Sequence, residues 1–137
     1  MPVAKEPPLI ACAIGRKFYS SKLIEKTKEF IVNVPSNELK KEIYYCGFNS
    51  GYQVDKFRET ALTKKPAAKV KVPIIDECIA HMECKVKQKI ITGDKYLFIG
   101  EVIEAKADED IVNGERKIDY AKGDFPRKIY GTRFNQE

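Results

Sequence analysis

Residues 78–89 read CIAHMECKVKQK, and this stretch decides the fold. Apolar side chains at positions 80, 82, 84 and 86 alternate with polar side chains at positions 81, 83, 85 and 87. A period of two is that of a β-strand with one face against a core and the other toward water. We therefore expect a long, half-buried strand here.

The residues that follow complete a hairpin. Thr92-Gly93-Asp94 provides a turn, and Tyr96 to Ala105 returns as the partner strand. The run Tyr96-Leu97-Phe98-Ile99 is apolar on both faces, which is typical of a strand that is covered on both sides. We expect this run to lie at the centre of the sheet or at a subunit interface.

Two further strands precede the hairpin. Leu9–Ile14 is a short apolar run ended by Gly15, and Glu29–Val34 is rich in β-branched residues and stops at Pro35. Residues 63–71 are expected to be a linker. Long strands with two or three short helices between them predict a mainly β, Greek-key-like, partly open barrel, formed as one domain by residues 1–137.

Three short helices are predicted from periodicity and capping residues. The first covers 20–28 and is expected to be capped by Ser20 or Ser21, and the second covers 37–45 with Ser36 as its cap. A third, brief helix is expected over 54–61.

The last thirty residues carry weaker signals. Asn113-Gly114 and Gly123-Asp124-Phe125-Pro126 are turn or break signals. The acidic run Asp108-Glu109-Asp110 follows a strand exit, and we interpret it as a solvated turn rather than as a catalytic carboxylate pair.

Charge and cysteine content exclude several classes of protein. The net charge of +5 is spread along the chain and mixed with glutamate, which is typical of a solvated surface or of one that attracts phosphorylated small molecules, not of a nucleic-acid binder. Four cysteines without a C-x-x-C pair, and a single histidine, argue against a metal site. We expect reduced cysteines, a cytoplasmic location, and no membrane span.

Motifs of catalytic chemistry are missing from the sequence. It has one histidine and no G-x-S-x-G, and no catalytic triad appears. It also has no P-loop and no G-x-G-x-x-G. We therefore assign no catalytic residue and expect a bound cofactor to carry any chemistry.

One candidate binding segment is Gly15-Arg16-Lys17-Phe18-Tyr19-Ser20-Ser21-Lys22, where a strand ends and a helix begins. Amides at a helix start receive phosphate well. Ser20 and Ser21 would add hydroxyl donors, and Arg16 and Lys17 would add charge. The alternative is an ordinary capped surface helix.

A second candidate is the loop from Cys46 to Phe57, which combines glycines, aromatics and Lys56. It could lie against a flat conjugated ring, with Lys56 as donor or charge. The alternative is a plain connection between helices, with Phe57 plugging the core.

Several of these segments, in this order, resemble the flavin reductase-like family, which includes the flavoredoxins. The resemblance runs through residues 2–107 and is weaker in the tail, where Tyr130-Gly131-Thr132-Arg133-Phe134 is similar to the family's closing segment. The segments that carry it are Pro7–Ile10, Tyr19–Ile24, Glu29–Pro35, Cys46–Gly51, Val54–Phe57, Glu83–Val86 and Gly93–Val102.

The resemblance implies an FMN-binding split β-barrel that forms a homodimer and exchanges electrons with NAD(P)H, flavin or a protein acceptor. It places Ser20 near the flavin phosphate, and Ser50, Gly51, Asp55, Lys56 and Phe57 along the flavin site. Where some members have an arginine this chain has Phe18, so Arg16 or Lys17 would supply the charge.

A second departure lies at the start of the chain. Members usually have a preceding segment with the first barrel strands and a flavin contact, so we expect those strands to be missing here and sheet edges to be exposed. The expected function is an NAD(P)H-dependent flavin reductase or a flavin electron carrier. The alternative is a shortened, non-catalytic module for dimerisation or ligand binding.

Overall fold

The computed structural model describes residues 1–115, and the sequence signals at 123–126 and 130–134 lie outside that range. An antiparallel five-stranded sheet in the order β1-β2-β7-β6-β3 forms its centre, with a separate pair β4-β5. The sheet is open within the described residues, because β1 and β3 are its two edges. The strands are β1 (Pro2–Ala4), β2 (Leu9–Gly15), β3 (Glu29–Val34), β4 (Lys64–Lys65), β5 (Ile74–Ile75), β6 (Ala80–Thr92) and β7 (Lys95–Ala107).

The hairpin of β6 and β7 confirms the two strands and the turn expected from the sequence. Gly93 adopts φ +54°, a backbone conformation that costs glycine little. An irregularity between Val86 and Gln88 shifts the register, so the expected alternation changes phase there. Lys89 therefore lies with its ammonium 4.6 Å from the centre of the Tyr96 ring.

Strand β7 occupies the middle of the sheet, between β2 and β6, as the apolar run at 96–99 predicts. Its Phe98 is 1% exposed and packs with Ile24, Phe30 and Cys84 in the core. Gly100 makes room for this packing, since a Cβ there would lie 2.5 Å from Cζ of Phe30.

The helices lie where the sequence predicts them, but their caps differ. Helix α1 spans Tyr19–Thr27 and its N-cap is Phe18, without a side-chain cap hydrogen bond. The prediction that Ser20 or Ser21 caps it is therefore wrong. Ser21 is fully buried, and its hydroxyl donates to the Gly15 carbonyl oxygen at 2.8 Å.

The next two helices begin later than expected. A 3-10 turn, Asn37–Leu39, precedes α2 (Lys40–Phe48), and Ser36 makes no side-chain cap hydrogen bond. Helix α3 covers only Lys56–Thr60. Asp55 caps it, because its carboxylate accepts from the amides of Phe57 and Arg58 at 3.1 and 3.2 Å.

The expected linker at 63–71 is tied to the sheet. The carboxylate of Glu83, 3% exposed, accepts the amides of Ala68, Lys69 and Val70 at 2.8, 2.6 and 3.1 Å. Burial raises the pKa of Glu83, but these three hydrogen bonds outweigh it and hold that pKa below its ordinary value. The alternation in β6 places Glu83 on the polar face, yet this segment covers it.

The remaining expectations concern thiols, metals and membranes. All four cysteines are free. Over residues 1–115, no group of three or more histidine, cysteine or acidic side chains could hold a metal ion. Nor does any helix in that range have the length and apolarity needed to cross a membrane. The acidic run at 108–110 is exposed, and its last two residues begin a 3-10 turn, Glu109–Ile111.

Candidate functional site

A hollow of about 330 Å³ lies between the start of α1 and the segment that joins α2 to α3. It brings together parts of the chain that are about thirty residues apart in sequence. Both candidate binding segments contribute to it. Its lining residues are Phe18, Tyr19, Ser20, Cys46, Gly47, Phe48, Asn49, Ser50, Gly51 and Lys56.

The α1 wall is fixed by the end of β2. The Phe18 amide and the Ser21 hydroxyl both donate to the Gly15 carbonyl oxygen, at 3.0 and 2.8 Å. This anchors the first helical turn and turns Ser21 into the protein, while Ser20 is exposed and lines the hollow. Neighbouring serines thus have different surroundings: Ser21 stabilises the turn, and Ser20 is available to a ligand.

The opposite wall is a tight turn built on Ser50. Its hydroxyl accepts the Tyr52 amide at 3.2 Å, and its carbonyl oxygen accepts the amides of Gln53 and Val54. Gly51 lets this turn approach α1, because a Cβ there would lie 2.6 Å from Cδ1 of Tyr19. A larger residue at position 51 would force either the Tyr19 ring or the turn itself to shift.

Lys56 provides the positive charge in the hollow. Its ammonium donates to the Cys46 carbonyl oxygen at 2.6 Å, which leaves two of its three N–H groups for other acceptors. Burial raises the pKa of the Cys46 thiol, and the nearby Lys56 lowers it only in part. The raised pKa gives the Cys46 thiol little thiolate character, which is unfavourable for nucleophilic chemistry.

Of the nine predicted binding residues, the hollow gathers Ser20, Ser50, Gly51 and Lys56. Arg16 points elsewhere: its guanidinium lies 5.4 Å from the Tyr96 ring centre and donates to the Gly93 carbonyl oxygen at 3.4 Å. The remaining predicted residues that do not line the hollow are Lys17, Ser21, Asp55 and Phe57.

The structure explains two of these. The Asp55 carboxylate is committed to capping α3. Phe57 stacks beneath the Lys64 ammonium, which lies 4.7 Å from its ring centre. Both residues thus stabilise the segment beside the hollow rather than its surface.

Several aromatic side chains around the hollow are not among the nine predicted binding residues. The rings of Tyr19 and Tyr52 pack with centres 4.8 Å apart. Phe18 and Phe48 are exposed at the rim, at 60% and 71%. The available signal was the run of bulky aromatics in polar, glycine-containing segments, where a buried core role is unusual.

A second hollow of about 440 Å³ lies on the other side of α1, and Ser20 borders both. Its lining is mostly apolar, and two of its polar side chains, Thr27 and Glu29, are already bonded. The Thr27 hydroxyl donates to the carbonyl oxygens of Leu23 and Glu29, and the Glu29 carboxylate accepts the Lys71 amide at 2.9 Å. Ser20 and Lys71 also line this hollow, but the Glu29 carboxylate there would repel an anion, whereas no acidic residue of the described range lines the hollow beside Lys56.

Comparison with known proteins agrees with this fold. A family model described as flavin reductase like domain matches residues 1–127. An uncharacterised protein of Archaeoglobus fulgidus is 38% identical over 120 residues, covering 88% of this chain and 68% of that protein.

Two solved structures show the same fold. Flavoredoxin from Methanosarcina acetivorans superposes with a TM-score of 0.83 at 29% identity, covering 91% of this chain and 66% of that one. A protein with a split barrel domain from Shewanella frigidimarina reaches 0.83 at 17% identity, covering 91% of this chain and 64% of that one. The chain thus spans about two thirds of the length of these proteins. The open, mainly β sheet is that of a split barrel, and the chain belongs to the flavin reductase-like family.

Proposed function

We propose that this chain binds FMN with the phosphate in the hollow between α1 and the α2–α3 segment. The observation that carries the proposal is the meeting of Ser20, Ser50 and Lys56 around one space of about 330 Å³. Hydroxyl groups and an ammonium are donors that phosphate oxygens accept. The space also falls within the usual range for ligand sites.

Each donor has a distinct part in this proposal. Ser20 donates its hydroxyl from the first turn of α1, where the helix dipole adds to the attraction for an anion. Lys56 supplies a full charge and keeps its position through Cys46. Gly51 sets the width of the space.

We further propose that the protein is an oxidoreductase, either an NAD(P)H-dependent flavin reductase or a flavin electron carrier that serves a protein acceptor. When bound, FMN would accept and pass on electrons, while the chain binds it, orients it and sets its electrostatic surroundings. Family membership supports this redox role.

A homodimer in the cytoplasm completes the proposal. The face of β7 opposite the core carries Leu97 and Ile99, and Ile90 of β6 lies in register with Leu97 and is 43% exposed. A partner subunit would cover this face. Four free thiols suit a reducing compartment.

The absorbance spectrum of the purified full chain, before and after addition of FMN, tests the proposal. We expect a bound-flavin spectrum that is perturbed relative to free FMN, and bleaching when NADH or NADPH is added without oxygen. Flavin binding without bleaching would support an electron carrier. A protein that binds no flavin would overturn the proposal and favour a non-catalytic dimerisation module.

A further inference from the structure

The exposed bulky side chains of the described residues are concentrated around α1. The described residues include nine exposed large hydrophobic side chains. Three of them belong to α1 or directly precede it, and two belong to the part of the chain that faces α1 across the hollow. Scattered single apolar residues are ordinary on a surface, but a cluster is typical of an interaction site. The five are Phe18 (60% exposed), Tyr19 (36%), Leu23 (42%), Phe48 (71%) and Tyr52 (55%).

Positive charge surrounds these residues. Residues 16–28 hold five basic side chains and one acidic one, Glu25. The Glu25 carboxylate is already paired with the Lys89 ammonium at 2.5 Å. Lys22 and Lys26 are exposed one helical turn apart on α1, and both lie beside Leu23 on the same side of it. We call this surface, defined by the five apolar residues with Lys17, Lys22 and Lys26, the aromatic–basic face.

We propose that the aromatic–basic face docks an acidic protein. An apolar centre within a charged rim is the usual anatomy of a protein interface, and the sign of the rim selects the partner. A second copy of this chain is disfavoured there, because a two-fold contact uses the same patch on both subunits and would bring two basic rims together. The occupant must therefore supply carboxylates around an apolar patch.

The position of the face suggests what the partner does. Phe18, Tyr19 and Phe48 belong both to this face and to the lining of the hollow. A protein docked here would lie over the hollow that is proposed to hold the FMN phosphate. The partner is then the electron acceptor or donor of the flavin, and this assignment of its role rests on the proposed function.

Binding of a purified acidic electron carrier, a ferredoxin or a flavodoxin, tests the proposal by titration calorimetry of the full chain with and without FMN. We expect wild-type protein to bind at least one of them, more weakly as salt rises. Lys22→Glu with Lys26→Glu should weaken binding at least about tenfold, since each rim charge changes sign. Leu23→Ser should weaken it without altering the salt dependence.

A matched control makes the same charge change elsewhere. Lys40 and Lys41 are exposed at the start of α2, roughly 12 Å of helix rise away from Phe48. Lys40→Glu with Lys41→Glu should leave binding within about twofold of wild type once the smaller net charge is allowed for. Lys22→Arg with Lys26→Arg should bind the carrier as wild type does, because both positive charges are kept. Circular dichroism checks that every variant is folded.

The proposal would be overturned if wild-type protein binds neither carrier, or if both charge-reversed pairs lose affinity equally. It would also be overturned if single-stranded RNA or anionic vesicles bind more tightly than the carriers, with the same dependence on Lys22 and Lys26. Flavin titration of the same samples is read separately. If the chain binds a carrier but no FMN, the docking face stands and the proposed function fails. If the chain binds FMN but no carrier, the proposed function stands and the docking face fails.

Discussion

The Ser21 hydroxyl donates to the Gly15 carbonyl oxygen at 2.8 Å and ties the first turn of α1 to the end of β2. Ser21 is fully buried, whereas its neighbour Ser20 faces the hollow. One serine therefore maintains the shape of the site, and the other is left to meet a ligand.

Ser21→Ala should lower the stability of the protein by about 1 kcal/mol, because a buried hydrogen bond is lost and the Gly15 carbonyl keeps only one donor. Thermal or urea unfolding measures the change. Flavin affinity in the remaining folded protein should fall similarly for FMN and riboflavin. A loss confined to FMN would show that Ser21 contacts the phosphate and would contradict its assignment to the turn.

Gly51→Ala should move the α2–α3 segment away from α1. The new Cβ would lie 2.6 Å from Cδ1 of Tyr19, so neighbouring atoms must shift. Shifts of this kind lower the stability of a protein by about 1–3 kcal/mol. We expect a lower melting temperature and weaker FMN binding. Gly114→Ala is the control, because a Cβ at position 114 has no atom within 4 Å and this residue lies outside the hollow. If both variants behave alike, the approach of Gly51 to Tyr19 does not shape the hollow.

Glu83→Gln should destabilise the fold by about 2 kcal/mol or more at neutral pH, since three amides lose a charged acceptor. The pKa of Glu83 is depressed in the folded protein. Its stabilisation is therefore complete above the ordinary glutamate pKa and is lost as pH falls through the lower folded value.

Urea unfolding of wild-type protein and Glu83→Gln between pH 3 and pH 7 checks this sign. The difference in stability should shrink toward the acid end. A gap that stays constant with pH would mean that Glu83 is not the ionised acceptor described above.

The chain should sediment as a homodimer at micromolar concentration. Ile90→Lys should yield monomers, because Ile90 lies in register with Leu97 on the apolar face opposite the core. Ile91→Lys is a matched control on the other face, in register with Tyr96, and should remain dimeric. Monomeric wild-type protein would contradict the dimer.

The sequence predicts well what depends on local periodicity. The alternation at 80–86 and the apolar run at 96–99 predict the hairpin and its central strand, because both patterns follow directly from strand geometry. The open barrel and the family follow from the order of the segments.

Contacts between distant segments could not be predicted in this way. Arg16 is drawn to Tyr96, eighty residues along the chain, and so leaves the phosphate site where the sequence places it. Glu83 has the pattern of an exposed strand residue, yet the amides of 68–70 bury it. The Asp55 carboxylate caps its own helix, α3, instead of lining the site. In each case the partner is fixed by the fold rather than by neighbours in sequence.

The affinities of FMN and riboflavin for wild-type protein and for Ser20→Ala test the central claim most directly, because riboflavin differs by lacking the phosphate. A hydrogen bond to a charged group contributes about 1.5–3 kcal/mol, so FMN affinity should fall on the order of tenfold or more. Riboflavin affinity should stay nearly unchanged. Equal losses for both flavins, or no binding of either by wild-type protein, would contradict a phosphate site at Ser20.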